Sequence, residues 1–403
     1  MRSDVIVVGG GPAGAAAAWR LARDGARVTI IDPSHPREKP CGGGITGRAL
    51  ALVADTIDTS ALPAAVIHTA RFTDGDGPGV IVPLEARGVS ASSALVVASR
   101  AEFDGRLLQA ATAAGAELLP ARVTDVIASG DGVGVETSRG RLDATFLIGA
   151  DGANSLVRRK LAQPFSREQI SIATGYFAHD VTSTEIVIEL VGDPPGYIWS
   201  FPRPNHLAIG ICAQGDAGAG VGALRTRTAA WIRSTHIADG ARLAAYSWPI
   251  PSLHAADFDR LTLSGPRWCL AGDAAGLVDS ITREGIFFAI QSGMFAARAA
   301  LSANAEQEYA AQVQDEIAPE LRSAAALKDG FFRPRFTRLL MHALRHSDAV
   351  RGVMADLVAG RQPYSGLKWR LIRTMELGLA WRWIGGQRRV RHESDNGQGQ
   401  TRL

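Results

Sequence analysis

The sequence predicts an α/β fold in which a parallel-sheet domain is interrupted by an antiparallel sheet and followed by a helical C-terminal region. Three observations predict it. Val5–Val8 is an unbroken apolar run that enters Gly9-x-Gly11-x-x-Gly14. An alanine-rich helical stretch follows to about Asp24, and Arg27–Ile31 is a second apolar run closed by Asp32; this is a βαβ unit with buried parallel strands. From Ser171 to Pro251 strand-like runs dominate, and from about Glu306 onward the pattern is helical.

The elements follow in order. Lys39–Gly44 is a glycine-rich loop, and apolar residues at helical spacing (Phe103, Leu107, Leu108) predict a helix around 102–115. Leu118–Arg122, Val123–Ala128, Gly132–Thr137 and Leu142–Ile148 read as strands between Gly and Asp turns. Ile172–His179, Glu185–Val191, Tyr197–Pro202 and His206–Ala213 predict an inserted antiparallel sheet, with a helix near Thr226–Ile237. Arg267–Ala271 is a short buried strand that returns the chain to the first domain. The expected division is 1–170 with 252–303 as one discontinuous domain, 171–251 as the substrate sheet, 304–393 as a basic helical region and 394–403 as a disordered polar tail.

Composition narrows the class. The chain of 403 residues is 46% hydrophobic and 21% charged, with a net charge of only +3, which argues against a nucleic-acid partner. Cys41, Cys212 and Cys269 form no CxxC pair, so neither a metal site nor a disulfide framework is expected, and a reducing cytoplasmic setting fits. No secretory signal precedes the first strand, and the longest apolar run, near 285–300, carries Gln291 and Arg298 and is too short to span a bilayer.

The glycines carry the first chemistry. In this spacing Gly9 makes the tight turn, Gly11 lets backbone approach a pyrophosphate, and Gly14 allows close helix–strand packing. The helix N-terminus stabilises phosphate charge, and Pro12 suits its first turn. Asp32 is placed to accept the ribose hydroxyls of an adenosine. These features define a Rossmann-type dinucleotide site.

A second motif selects the dinucleotide. Trp268–Gly276 is a strand ending in Gly272-Asp273, followed by a helix start near Arg283–Ile286. This distant return resembles FAD-binding Rossmann proteins of the hydroxylase type. There such an aspartate bonds the ribityl chain, and the next helix aims its N-terminus at the flavin pyrimidine ring. FAD is the expected cofactor; the competing reading of Asp273 is a helix N-cap. Ile148–Ser155, followed by Arg158, resembles the Asp-Gly motif of the same hydroxylases and their reductase relatives. For Asp151 a flavin-side contact and a structural helix cap both stand.

The loop Lys39-Pro40-Cys41-Gly42-Gly43-Gly44-Ile45 and the strand Gly196-Tyr197-Ile198-Trp199-Ser200-Phe201-Pro202, ending at Gly210, resemble signatures of the geranylgeranyl reductase family, in matching order from about residue 4 to 300. The resemblance implies that Ala13, Asp32, Cys41, Gly42, Gly44, Arg100, Val123, Asp273, Gly285 and Ile286 contact FAD, with Arg100 at a helix start where a guanidinium can pair with the pyrophosphate. Asp32 departs from the family's usual glutamate and shortens the reach. Tyr197, Trp199 and Phe201 alternate and so share one face, which reads as core or as a substrate pocket; the resemblance favours an apolar pocket for a polyprenyl chain. Cys41 reads either as a proton relay to the alkene or as a filler beside the flavin.

The implied activity is FAD-dependent reduction of carbon–carbon double bonds in a geranylgeranyl or other polyprenyl substrate. The alternative is a flavoprotein monooxygenase or halogenase, although Tyr197 stands where a halogenase Trp-x-Trp-x-Ile-Pro signature has its first tryptophan. No second GxGxxG is present, since Gly218, Gly220 and Gly222 have the wrong spacing. The expected electron donor is therefore NADPH without its own Rossmann domain, or another external reductant. Finally, 331–392 holds thirteen Arg and Lys against three acids, interleaved with Trp369, Trp381 and Trp383. That pattern reads as a peripheral contact with an anionic membrane, as a site for a diphosphate or phospholipid head group, or as a solvated helical face.

Overall fold

A computed structural model of the chain describes residues 3–75, 77–84 and 95–361, together with 364, 367 and 370. The tail at 394–403 and Trp369, Trp381 and Trp383 lie outside the described residues.

The chain opens with β1 (Ser3–Val8), α1 (Pro12–Arg23) and β2 (Val28–Ile31), as the apolar runs require. β3 (Gly44–Ile45), α2 (Gly47–Leu52), β4 (Ala64–Ile67), β5 (Thr69–Thr73), β6 (Val80–Pro83) and β7 (Leu95–Ala98) follow, then α3 (Arg100–Ala113). β8 (Glu117–Leu119), β9 (Val123–Ser129), β10 (Gly132–Thr137), β11 (Gly140–Gly149) and α4 (Leu156–Leu161) complete the first pass. β8 is shorter than expected because Pro120 has no N–H to continue the ladder. The inserted region holds β12 (Ile170–His179), β13 (Glu185–Gly192), β14 (Pro195–Arg203), β15 (His206–Gln214), α5 (Val221–Thr235) and β16 (Arg242–Pro251). β17 (Ser264–Gly265) and β18 (Trp268–Leu270) rejoin the first sheet, and α6 (Ile286–Ala300) packs against α1. α7 (Ala305–Glu316), α8 (Ala318–Phe331), α9 (Pro334–His346) and α10 (Asp348–Val358) end the described helices.

The parallel strands run in the order β18-β11-β1-β2-β8, with β1 between β11 and β2. The β9–β10 hairpin extends β11 antiparallel. α1 and α6 pack so closely on each other that a Cβ on Gly293 would stand 2.2 Å from the Ala13 carbonyl oxygen.

The second sheet has the order β16-β12-β15-β14-β13-β5-β6. It takes in β5 and β6, which lie outside 171–251, and β5 pairs with β13 in parallel. β16 is not among the strands expected from the sequence; its Pro249 and Pro251 are tolerated because it lies at the sheet edge. α8, α9 and α10 bury Phe331, Leu340, Met341, Leu344, Met354 and Leu357 in the same cluster as Phe72, Val82 and Ile186 of this sheet. The basic helical region is thus amphipathic, with Arg333, Arg335, Arg338 and Arg345 on its exposed side. Among the described residues, no helix is long and apolar enough to cross a membrane.

Candidate functional site

A cavity of about 250 Å³ lies between the two sheets. It begins at the first turn of α1, where Gly11, Pro12 and Ala13 form its wall. Gly9 and Gly14 stand behind that wall and shape it. Gly9 has φ +106°, and a Cβ on Gly14 would lie 1.9 Å from the Gly9 carbonyl oxygen. Gly11 by contrast faces open space: a Cβ there would meet only His35 Nε2 at 3.7 Å and Lys39 Nζ at 3.9 Å. An anion seated against the α1 N-terminus would meet backbone N–H groups and these two side chains.

The acid expected for ribose is already engaged. Asp32 Oδ2 accepts from the Gly10 N–H and His35 Nδ1, both at 2.8 Å, and Oδ1 accepts from the N–H groups of Ser34 and His35. Burial raises the Asp32 pKa, but the hydrogen bond and charge of His35 outweigh it and hold the carboxyl well below its usual range. His35 Nε2 is buried without a hydrogen-bond partner and lies 3.6 Å from Asp104 Oδ2, too long for a bond. Burial opposes charging of His35, but the Asp104 and Asp32 carboxylates prevail and raise its pKa.

Arg100 opens α3 and reaches the cavity, yet Asp104 holds its guanidinium bidentately through Nε and Nη2 at 2.8 Å, with both side chains buried. Its Nη1 donates to Cys41 Sγ at 3.4 Å. Lys39 and His35 stand nearer to Gly11 than this paired arginine does, and the sequence reading gave neither a role. Val123 starts β9, packs against the parallel-sheet core and does not line the cavity.

The second half of the site comes from the returning chain. Asp273 follows β18, and Gly285 and Ile286 open α6; all three line the cavity. A Cβ on Gly285 would stand 3.3 Å from Asp273 Oδ1, so this turn brings the carboxylate against the helix start. Ala271 caps the short turn Gly272–Ala275 and Gly285 caps α6, so Asp273 caps neither. Its carboxylate and the α6 N-terminus face the same space, as a flavin site requires. Asp151, by contrast, is spent on α4: it accepts from Ser155 Oγ at 2.5 Å and from the N–H groups of Leu156 and Val157. Burial raises its pKa. Asp151 is therefore a structural cap here.

Residues 2–299 match the FAD binding domain family. The chain is 33% identical to a menaquinone reductase of Mycolicibacterium smegmatis, across 73% of this chain and 76% of that one. It is 32% identical to a geranylgeranyl diphosphate reductase of Rhodobacter capsulatus, across 75% and 76%. The chain belongs to the geranylgeranyl reductase family of FAD-binding proteins. Its fold matches that of a geranylgeranyl bacteriochlorophyll reductase-like protein from Thermoplasma acidophilum, with a TM-score of 0.75, 23% identity and coverage of 93% of this chain and 99% of that one. Flavin-dependent halogenases share the fold at lower identity. This FAD-dependent oxidoreductase thus has residues that fit its cofactor at both ends: an open Gly11 turn with an orphaned imidazole nitrogen, and an aspartate beside a helix N-terminus.

Between those ends lies the Cys41 loop of this flavoprotein. Arg203, fully buried at the end of β14, pairs with Glu38 and donates to the carbonyl oxygens of Cys41 at 2.7 Å and Gly42 at 3.4 Å. Glu38 also accepts from Ser99 Oγ at 2.7 Å and the Arg100 N–H at 3.0 Å. Burial raises the Glu38 pKa, but Arg203 outweighs it and keeps the carboxyl below its usual range. One clasp therefore fixes the loop, the start of α3 and the inserted sheet together. Gly42 and Gly44 lie beneath Phe201, and both glycines line the cavity. Nothing in the spacing of Glu38 and Arg203 announces this clasp.

Tyr197, Trp199 and Phe201, which alternation puts on one face, all line the cavity. Tyr197 Oη donates to the Thr282 carbonyl at 2.9 Å and ties β14 to the loop before α6. Beyond them the wall turns apolar: Phe72, Leu95, Ile188, Leu190, Phe331 and Met354. Ile188 and Leu190 come from β13 of the expected substrate sheet; the others come from β5, β7 and the C-terminal helices, which the sequence did not mark as part of an apolar wall. Among the described residues no group of His, Cys, Asp or Glu is arranged to hold a metal.

Proposed function

We propose that this protein saturates carbon–carbon double bonds of a polyprenyl chain. One observation carries the reading: a single cavity runs from the flavin-site residues Gly11, Cys41, Asp273 and Gly285 into an apolar half walled by Phe72, Leu95, Ile188 and Leu190. Such a wall suits a long hydrocarbon that needs contact area and no specific hydrogen bonds. FAD, when bound and reduced, supplies the hydride.

The chain's residues do the rest. His35 and Lys39 with the α1 N-terminus hold the pyrophosphate, while Asp273 and the α6 N-terminus hold the ribityl and pyrimidine side; Asp32 sets the turn and, through His35, the adenosine side. Tyr197, Trp199 and Phe201 exclude water and align the alkene. Cys41 Sγ carries the proton for the second alkene carbon, and Arg100 Nη1 orients that sulfur. An external reductant, NADPH or another donor, restores the flavin between turnovers. The basic surface of the C-terminal helices suits an anionic membrane face where such lipids reside, and cytoplasmic placement follows from the unpaired cysteines.

The test is mass spectrometry after incubating dithionite-reduced protein with prenyl diphosphates, prenyl lipids and menaquinone. A gain of two hydrogens per double bond is expected. Cys41→Ser should slow turnover while leaving FAD content unchanged. Substrate-stimulated oxygen uptake with a hydroxylated or halogenated product would replace the reductase reading with the monooxygenase one.

A further inference from the structure

The apolar half of the cavity ends against the C-terminal helices, and a second cavity of about 40 Å³ lies on the far side of that wall. The second cavity is lined wholly by apolar side chains, among them Leu327, Phe336, Leu340 and Val353. Four side chains line both spaces: Ile281, Phe331, Met354 and Leu357. They form a septum one side chain thick.

The septum is held from behind. Asp279 accepts from the Ile281 and Thr282 N–H groups at 2.7 and 3.0 Å, and Tyr364 Oη donates to the same carboxylate. Phe331 packs edge-on against Phe332 and tilted against Phe336. α10 is anchored by Arg361, which pairs with Asp356 and donates to the Leu84 carbonyl beyond β6. Met354 differs from its neighbours in being unbranched and deformable, so it is the member that volume changes reach most directly.

We infer that this septum ends the substrate tunnel and sets the longest prenyl tail the enzyme reduces; the inference rests on the polyprenyl reading above. A tail one isoprene unit too long must displace the septum or leave hydrocarbon in the polar half beside Lys39, Arg100 and Asp273. The second cavity is too small for an isoprene unit while Met354 stands. Truncating Met354 joins the two spaces and lengthens the tunnel.

The test uses the full chain loaded with FAD, reduced by dithionite and offered isoprenoid diphosphates that differ by single isoprene units. Met354→Ala should raise kcat/KM for the homologue one unit longer than the wild-type optimum by at least about tenfold relative to that optimum, since even single methylenes discriminate on this scale. Met354→Phe should shift the profile toward shorter tails. FAD absorbance and thermal melting check that the variants are folded. If Met354→Ala loses FAD, Leu357→Ala carries the same expectation. An unchanged length profile in folded, FAD-loaded variants overturns the septum alone. Failure of the wild type to reduce any homologue overturns the polyprenyl reading and the septum with it.

Discussion

Substituting Gly42 with alanine tests whether the Cys41 loop and the aromatic strand form one unit. A Cβ on Gly42 would stand 2.9 Å from Phe201 Cγ and 3.1 Å from both Cδ atoms. Carbon atoms prefer roughly 3.5–4.0 Å, so the ring must move by about half an ångström or more. The ring's open side is the cavity, and relief in that direction takes volume from the substrate half. Overpacking of this kind costs about 1–3 kcal/mol. The assay is urea unfolding of the FAD-free protein by circular dichroism, in wild-type and Phe201→Leu backgrounds. Gly42→Ala should cost about 1–3 kcal/mol in the first and clearly less in the second, a coupling of about 0.5–3 kcal/mol. An equal penalty in both backgrounds would show that Phe201 is not what Gly42 accommodates, and the argument would fail.

Two further outcomes follow from the charged half of the site. Arg203→Met removes the partner of Glu38 and the donor to the Cys41 and Gly42 carbonyls; breaking a buried pair costs about 3–5 kcal/mol, and the lower end applies because Glu38 is 29% exposed. The same unfolding assay checks it, and a loss below about 1 kcal/mol would mean the clasp does not hold the loop. His35 has a pKa raised above 6.5, so its charged form stabilises the fold fully below that value and the benefit is lost as pH rises through the higher folded value. FAD affinity, followed by flavin fluorescence from about pH 6 to 9, should weaken with rising pH in the wild type and weaken less in His35→Gln, where Lys39 still carries its own pH dependence; parallel profiles would remove His35 from the pyrophosphate site.

How much of this was legible depends on what each residue answers to. Gly9, Gly11 and Gly14 answer to backbone geometry within one turn, so their spacing alone announced the turn and the helix behind it. Strands β12–β15 were legible because each alternates or runs apolar over its whole length. β5 and β6 were not, since they are short, and they join the sheet only where β5 pairs with β13, more than 100 residues along the chain. Arg203 carried no expectation from the sequence, yet it is fully buried because Glu38 and two carbonyls satisfy it. Asp151 carried a motif's promise and proved to cap α4. The C-terminal region was read through its arginines, which dominate the count, while its apolar face decided where it packs.

That last difference bears on specificity. The cofactor half of the cavity is built from turns and helix starts, where Gly9, Gly14, Gly42 and Gly285 leave no room for another side chain without moving backbone, a carboxylate or a ring. Such positions respond to few substitutions, so they announce themselves as motifs and name the cofactor. The tail half is built from Phe72, Leu95, Ile188, Leu190, Phe331 and Met354, which present only apolar surface to the cavity. Any apolar set of similar total volume keeps that wall closed, so no spacing signature marks it. A chain of this family can therefore change which tail it accepts by exchanging one septum side chain on α8 or α10 while every flavin contact stays in place, and the flavin motifs will read the same before and after.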